Sequence, residues 1–521
     1  MEFEDVIEEL GGFGKFQKFL LWGFLLPSEI LFPFFSMNLI FLLSEPDHQC
    51  VVPQLDALGL NESRAQEIRK LLVSDDECAV LPMRDFNSTR LVTAVGFEAT
   101  SWNASWFVND SAPRQPCQLF RYDDLLYEET VPTKWDLICS RGHLPSLLYS
   151  TVTAASVIGP VIIGALADKY GRKPTFFAIV ALAALSGFGA VLSTNFAMFV
   201  VMRFVNALLD PQIEQVPYII IMELLDAKQR TLMLGVACMG WTLGMCLLTL
   251  VAYLSRTWVL LATVCASCVV PLFCYIRTGS PRRRPFCAAL PSETESSPRL
   301  TSTSSSRSAN GCAYSGLHIN VTHLSGNEFL NFLYLALVEF PANAIGWWSM
   351  NRYGRRWTNV FFVLLTATAC WAAVIAPTSG TVHVISSIVA KFSTTAAYMM
   401  MYQQSDELFP TPLRSFSMGV LPSLAAVFTA SVPYIVYVGK YGAWIPFLFL
   451  AVVTMSAGIA AAWLPETKGY PLCQTVEDAE KFGNNQKFFS FNRIEESSKR
   501  PRRVGENGEK TLELRPLQTE A

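Results

Sequence analysis

Long, nearly uncharged apolar segments occupy most of the chain and limit the folds that it can adopt. A helix needs about 20 apolar residues to cross the ~30 Å hydrocarbon core of a bilayer. Backbone polar groups inside lipid must be hydrogen-bonded within the protein, which leaves helices or a closed barrel. The segments are continuously apolar, without the period-two alternation of barrel strands, so we predict an all-α membrane protein. Eleven such segments stand between charged or Pro/Gly-rich boundaries: 16–43, 145–167, 174–194, 196–222, 231–254, 258–277, 328–350, 357–377, 381–403, 416–438 and 443–464.

Charge is scarce and confined to particular loops. Charged residues make up 16% of the chain, against about 25% in soluble proteins. Basic residues concentrate in the cytoplasmic loops of membrane proteins, so the basic loops and both termini are predicted to be cytoplasmic. The acidic start Met1–Leu10 lacks the features of a cleaved leader, and we expect the first span to remain as an anchor in the plasma membrane. The basic clusters are Lys169–Lys173, Arg282–Arg284, Arg352–Arg356 and Lys499–Arg503.

The segment 44–141, between the first two spans, is predicted to lie outside the cell. It contains four Asn-x-Ser/Thr sequons, which we predict to be glycosylated, and four cysteines. An even set of cysteines in such a compartment favours disulfides, and the three possible pairings stay open. No His/Cys spacing in the chain indicates a metal site. The residues concerned are Asn61, Asn87, Asn103, Asn109, Cys50, Cys78, Cys117 and Cys139.

A short motif recurs in the two halves of the sequence. Asp168-Lys-Tyr-Gly-Arg-Lys173 reappears as Asn351-Arg-Tyr-Gly-Arg-Arg356. A Glu followed seven residues later by an Arg also occurs in each half, and the two motifs repeat at separations of 183 and 184 residues. Two parallel six-helix halves with a cavity between them at the membrane midplane are typical of major facilitator transporters. We therefore predict that architecture.

These repeated motifs are predicted to form a conformational latch. A glycine at the membrane surface permits a tight turn. Acid–base pairs across a helix seam can bond in one access state and separate in the other. The second copy has Asn351 in place of the acid, which predicts a weaker latch, and the alternative is a basic loop that only sets topology. The predicted latch residues are Gly164, Asp168, Gly171, Arg172, Glu223, Arg230, Gly354, Arg355, Glu407 and Arg414.

Five further segments carry a family resemblance. They are Gly11–Gln17, Lys134–Cys139, Val338–Ala342, Glu407–Arg414 and Leu464–Pro471. Together they resemble the organic ion transporters of solute carrier family 22, a branch of the major facilitator superfamily, from residue 11 to about residue 480. The resemblance implies twelve transmembrane helices and the movement of small organic cations, anions or zwitterions across a plasma membrane.

Three departures from the family pattern weaken any prediction of substrate charge. The family's Glu-Ser-Pro-Arg signature is replaced by Gly279-Ser-Pro-Arg282. Glycine positions of the family's fourth span are Ala207 and Gln212 here. The position that is Asp in typical cation carriers and Arg in typical anion carriers aligns with Ala426. The usual indicator of charge selectivity is therefore missing.

The seventh of the twelve spans is predicted to be short or degenerate. No 20-residue apolar segment occurs between Arg284 and Asn327, and 291–308 is Ser/Thr-rich, which is typical of a disordered linker. Two interpretations are open: a polar span that borrows 300–310, or a splice or gene-model product that lacks the segment. The predicted organisation is a cytoplasmic N-terminus (1–15), a first half (16–277), a cytoplasmic linker (278–311), a second half (312–464) and a cytoplasmic tail (465–521).

Ionisable residues inside the spans are the candidate substrate-binding groups, because burying charge in lipid is unfavourable without a functional reason. Glu339 matches an acidic position of the family's eighth span. Aromatic residues could add cation–π surface. The alternative for each acid is a structural pair, with Arg203 or Lys391 as partner, and for the acids of the fourth span also a shared proton. The predicted cavity residues are Glu29, Asp210, Glu214, Trp241, Glu339, Tyr398 and Tyr402.

Transport by alternating access is the predicted function, with cations or zwitterions slightly favoured over anions. The alternative is a transporter-fold protein that binds a ligand or partner through its outer loop and moves nothing. No nucleophile, metal cluster or phosphate loop indicates an enzyme, and we expect no catalytic residue, metal or cofactor. The expected partners are a small organic ion and the lipid bilayer, with no nucleic acid.

Overall fold

The computed structural model describes residues 14–56, 62–74, 77–82, 112–224, 227–277, 298–324, 326–376, 380–408 and 425–468. Within these ranges, nine helices are long and apolar enough to span a membrane. Two shorter apolar helices cover 258–273 and 425–438. Each predicted apolar segment overlaps one of these helices, so the prediction of an all-α membrane protein is confirmed.

The first span is a broken helix. Pro27 and Pro33 lack the amide hydrogen that a regular helix uses, which accounts for breaks in this span. A π-helical stretch, Leu21–Leu25, joins its first two pieces. The pieces are α1 Lys15–Leu20, α2 Leu26–Leu31, α3 Pro33–Ser36 and α4 Asn38–Leu42.

The segment between the first two spans forms a small disulfide-bonded unit at one end of the bundle, which we call the loop end. Strands His48–Cys50 and Phe120–Tyr122 pair antiparallel, as do Ala79–Val80 and Gln115–Pro116. The disulfide Cys50–Cys117 joins the two pairs, and Cys78–Cys139 ties the second pair to a turn at Cys139–Arg141. The pairing left open by the sequence is thereby resolved. The elements are β1 His48–Cys50, α5 Pro53–Asp56, α6 Glu62–Leu72, β2 Ala79–Val80, β3 Gln115–Pro116, β4 Phe120–Tyr122 and α7 Val131–Trp135.

Five helical segments make up the rest of the described first half. In each half, two of the helices are joined by a glycine turn at the opposite end of the bundle, which we call the turn end. Gly171 and Gly354 stand 183 residues apart and have φ values of +97° and +102°. Only glycine adopts such values without strain, so the sequence repeat corresponds to a repeated backbone turn. The helices are α8 Leu144–Tyr170, α9 Arg172–Val191, α10 Phe196–Leu224, α11 Ala227–Ser255 and α12 Trp258–Ser267, with a 3₁₀ extension Val270–Arg277.

The second half begins with a helix where a linker was predicted. This helix, α13, extends over Pro298–Ile319, so the predicted linker boundary at 311 is wrong. Ser306, Arg307 and Asn310 are at most 3% exposed, because neighbouring helices surround this one and the Asn310 amide donates to Thr394 O at 3.3 Å. A helix enclosed by protein does not need an apolar surface. The span is polar, as predicted, but it is 22 residues long rather than short, and it includes 300–310.

The described part of the second half contains six further helices. The largest buried apolar cluster lies at the loop end and joins both halves. In it, the ring centroid of Phe41 lies 5.6 Å from that of Phe329 and 4.9 Å from that of Phe332. The helices are α14 Glu328–Leu337, α15 Glu339–Tyr353, α16 Arg356–Ile375, α17 Gly380–Leu408, α18 Val432–Val438 and α19 Trp444–Ala462.

Candidate functional site

A cavity of about 480 Å³ lies between the two halves. Its volume falls in the ~300–1,000 Å³ range of small-molecule sites. Helices α8, α10 and α11 contribute to its wall from the first half, and α13, α15 and α17 from the second. Six of the seven residues predicted from the sequence line it: Glu29, Glu214, Trp241, Glu339, Tyr398 and Tyr402.

Glu339, at the start of α15, is the centre of a buried polar network. Its Oε1 accepts a hydrogen bond from Tyr314 Oη at 2.8 Å and forms an ion pair with Lys391 Nζ at 2.5 Å. Its Oε2 accepts from Thr242 Oγ1 at 3.1 Å. Lys391 is fully buried and Glu339 is 1% exposed. The structural pairing with Lys391, considered as the alternative for this acid, is therefore present.

The same network links the two halves at the cavity. Trp241 Nε1 of α11 donates to Tyr314 Oη of α13 at 2.7 Å, and Thr242 of α11 reaches Glu339 of α15. The Lys391 ammonium lies 3.1 Å from the centroid of the Tyr314 ring. Buried hydrogen bonds between polar groups hold two surfaces in one register, since unpaired partners would be unfavourable in the interior. These contacts stabilise the arrangement of the halves that the structure records.

Glu29 and Glu214 form the acidic part of the first-half wall. Glu29 is 3% exposed, and its Oε1 has no hydrogen-bond partner. Glu214, on α10, is partly exposed to the cavity. Both carboxylates belong to residues that line the cavity. Neither has a Lys, Arg or His nitrogen within 4.0 Å in the part of the chain that the structure describes.

Asp210 is the predicted cavity residue that the structure places elsewhere. It lies one turn before Glu214 on α10, which moves it about 6 Å toward the loop end at 1.5 Å per residue, and it is absent from the cavity wall. Asp210 is 8% exposed, and its Oδ1 has no hydrogen-bond partner. Arg203, one of the partners considered for it, donates instead to Asn38 Oδ1 at 2.6 Å. The prediction that Asp210 lines the cavity is therefore wrong for this conformation.

Aromatic side chains cover both walls of the cavity. On the first half, the ring centroids of Phe32 and Trp241 lie 5.3 Å apart. On the second half, Tyr398 Oη donates to Tyr402 Oη at 3.2 Å. The guanidinium of Arg307 lies 4.1 Å from the centroid of the Tyr402 ring. Rings of this kind present negative faces to a cationic ligand.

At the turn end, the second copy of the repeated motif is assembled around Glu466. Arg355 forms an ion pair with Glu407 at 2.9 Å, and Thr467 Oγ1 donates to Glu407 Oε2 at 2.6 Å. Glu466 accepts the backbone amide hydrogens of Arg355 and Arg356 at 2.8 and 3.1 Å. The structure thus brings together Gly354, Arg355 and Glu407. The carboxylate at this turn comes from Glu466, in the segment that follows α19.

The first copy is only partly visible. Gly171 makes the turn described above, whereas Gly164 lines the cavity and has no neighbouring atom within 4 Å of where a Cβ would lie. The side chains of the other predicted latch residues, and all four sequons, lie outside the described residues: Asp168, Arg172, Glu223, Arg230, Arg414, Asn61, Asn87, Asn103 and Asn109.

The sequence analysis missed several polar residues in or beside the cavity. Tyr314, Asn343 and Thr395 line the cavity, and Thr242 bonds to Glu339 beside it. Neutral polar residues are common in spans, so their presence does not single them out. Tyr314 had one available indication, because it lies in a polar segment that the topology requires to cross the membrane.

Comparisons with protein families match the chain to two related groups. The Major Facilitator Superfamily profile matches residues 141–340, and the profile described as Sugar (and other) transporter matches residues 313–478. Organic cation transporter 1 of Caenorhabditis elegans is 25% identical, over 92% of this chain and 89% of its own length. The carcinine transporter of Drosophila melanogaster is 26% identical, over 94% and 80%. Human organic cation/carnitine transporter 2 is 25% identical, over 91% and 93%.

Solved structures show the same fold. The human organic anion transporter MFSD10 superposes with a TM-score of 0.56 at 14% identity, covering 85% of this chain and 99% of its own. The inward-open xylose transporter XylE of E. coli superposes with a TM-score of 0.53 at 15% identity, covering 66% and 89%. The chain is thus similar to major facilitator transporters in both halves, and the relatives that it matches over most of its length are organic cation transporters and members of solute carrier family 22.

Proposed function

We propose that the protein is a carrier that moves small organic ions across the membrane by alternating access, with cations and zwitterions favoured over anions. The observation that carries the proposal is the cavity between the halves, whose wall combines three carboxylates with aromatic rings. Relatives similar over nearly the whole chain are named as transporters of organic cations, carcinine and carnitine. A concave site with few polar groups among apolar ones suits a small organic ligand.

The contacts between the halves support an arrangement closed at the loop end. Ser150 Oγ donates to Ala430 O at 2.7 Å across the halves. Ser44 Oγ and Tyr127 Oη both donate to Glu328 Oε2, at 2.6 and 3.1 Å. The cavity wall, by contrast, extends to Ala167, one turn before Gly171 at the turn end. With the predicted cytoplasmic termini and plasma-membrane location, this arrangement is the inward-facing state of the cycle.

A protein that binds without transporting remains the second candidate, and one of its arguments is now weaker. It drew support from an apparently incomplete seventh span. Helix α13 is complete in length and supplies Tyr314 and Ser315 to the cavity. In the described part of the second half, α13 therefore joins α15 and α17 in lining the cavity.

Uptake of radiolabelled organic cations, zwitterions and anions into cells tests the proposal. Surface biotinylation would show how much protein reaches the plasma membrane. The control is Ser315→Trp, in which a large side chain fills the cavity from α13. We expect saturable uptake of cations or zwitterions that the control lacks at equal surface level. Surface protein with no uptake above untransfected cells would support the non-transporting alternative.

A further inference from the structure

We propose that the cationic group of the substrate, a protonated amine or quaternary ammonium, is held by Glu29 and Glu214 on the first-half wall. Glu339, in contrast, is reserved for Lys391 as an internal ion pair. This inference rests on the proposed function and names which of the three cavity carboxylates binds the cation. It also assigns Lys391 as the internal cation that occupies the third carboxylate, Glu339, and keeps the substrate away from it.

Both oxygens of the second-half carboxylate already contact other protein groups. Both oxygens of Glu339 have partners: Lys391 Nζ at 2.5 Å and Tyr314 Oη at 2.8 Å on Oε1, and Thr242 Oγ1 at 3.1 Å on Oε2. The ammonium of Lys391 is fully buried, and the Tyr314 ring covers it at 3.1 Å. A substrate ammonium could approach Glu339 only by displacing a tethered one. The Glu339–Lys391 pair therefore adds no net charge to this wall.

The two carboxylates of the first-half wall, in contrast, have no ion-pair partner among the described residues. Glu29 is 3% exposed with an unpartnered Oε1, and Glu214 faces the cavity. Among the described residues, no basic nitrogen lies within 4.0 Å of either carboxylate. Arg307, the other buried base nearby, stacks on Tyr402 and is absent from the cavity wall. Buried carboxylates without a counter-ion are unfavourable, and a bound organic cation would supply that counter-ion.

A second polar group points to the same ligand independently of the acids. Thr395, on the opposite wall, is 6% exposed, and its Oγ1 has no hydrogen-bond partner although it lines the cavity. A ligand lying across the cavity could bond to it with a hydroxyl, amide or carboxyl group. Phe32 and Trp241 supply ring surface beside the acids for the alkyl substituents of an ammonium. The expected substrate is thus a small organic ammonium, and a polar group at its far end would add a bond to Thr395.

Binding and uptake of tetraethylammonium and choline test the assignment in the full-length protein. Removing the charge in Glu29→Gln or Glu214→Gln should raise the Kd and the KM about tenfold or more, as loss of a charged contact does. Glu214→Asp should restore part of the affinity. Glu128→Gln is the control, because Glu128 is an exposed acid of the outer loop, with 59% side-chain exposure. Binding is measured as thermal stabilisation of detergent-purified protein, so that it does not depend on surface delivery.

Lys391→Met provides the complementary test. It frees Glu339, so a diamine such as 1,4-diaminobutane should gain about tenfold in affinity relative to a monoamine. Unchanged Kd values in both Glu29→Gln and Glu214→Gln, or a wild-type protein that binds neither tetraethylammonium nor choline, would overturn the assignment. Wild-type binding without uptake would instead contradict the proposed transport and leave the cation site in place.

Discussion

Gly354 illustrates how much a single position at the turn end contributes. It ends α15 with a φ of +102°, and a Cβ at this position would lie 2.5 Å from Glu466 Oε2. The carboxylate can bind the amides of Arg355 and Arg356 only because the position has no side chain. The backbone turn and the hydrogen bonds of Glu466 thus both depend on the absence of a Cβ at residue 354. The glycine of the repeated motif is required both for the turn and for the approach of the acid.

We predict that Gly354→Ala destabilises the protein more than Gly326→Ala. Both glycines have nearly the same φ, +102° and +103°, which L-residues rarely adopt, so alanine meets backbone strain of about 1–3 kcal/mol at each. A Cβ at Gly326 meets no atom within 4 Å, whereas at Gly354 it displaces Glu466 from its hydrogen bonds. The additional loss should be about 1–3 kcal/mol. Thermal unfolding of the detergent-purified variants measures the difference, and equal midpoints would contradict the role given to Glu466.

Individual site residues were predictable from the sequence when they carry a charge. Glu29, Glu214 and Glu339 stand out because an acid inside an apolar segment is rare and unfavourable. Their division into one paired and two unpaired carboxylates was not predictable. That division depends on Lys391 reaching Glu339 from a different helix, and Asp210 shows that one helical turn is enough to move an acid out of the cavity.

At the scale of helices, α13 shows where apolarity fails as a guide. Hydropathy measures contact with lipid, but α13 packs against α17 and α19 and places Ser306, Arg307 and His318 inside the protein. Its polar residues find partners there, and Tyr314 reaches the cavity network. Helices that face lipid were located to within a few residues from the sequence. The enclosed helix α13 was expected only because the predicted topology requires the chain to cross the membrane there.

Close helix crossings depend on glycine in α11. A Cβ at Gly244 would lie 2.2 Å from Ile30 O of the first span, whereas a Cβ at Gly235 on the same helix meets nothing within 4 Å. We predict that Gly244→Ala forces the helices apart and destabilises the protein by about 1–3 kcal/mol. Gly235→Ala should be neutral or stabilising by up to about 1 kcal/mol, since alanine favours helix. Thermal unfolding compares the two, and similar midpoints would show that the crossing is not tightly packed.

At the scale of the whole molecule, the repeated motifs predicted two halves and a cavity between them, because a sequence repeat implies a structural repeat. They could not predict which end of the cavity is closed. That depends on contacts between residues far apart in the chain, such as Phe41 with Phe332 and Ser150 with Ala430. In the proposed alternating-access cycle such contacts would exchange, so one sequence would encode both arrangements.

Counterflow in proteoliposomes tests the central claim, that this chain itself carries organic cations through the cavity. Purified protein is reconstituted with unlabelled choline or tetraethylammonium inside, and entry of the labelled compound is followed. We predict transient, saturable accumulation with the wild-type protein, and none with the folded Ser315→Trp variant. Folded wild-type protein that accumulates no more label than empty liposomes, for every cation and zwitterion tried, would contradict the account and leave a binding protein of transporter fold.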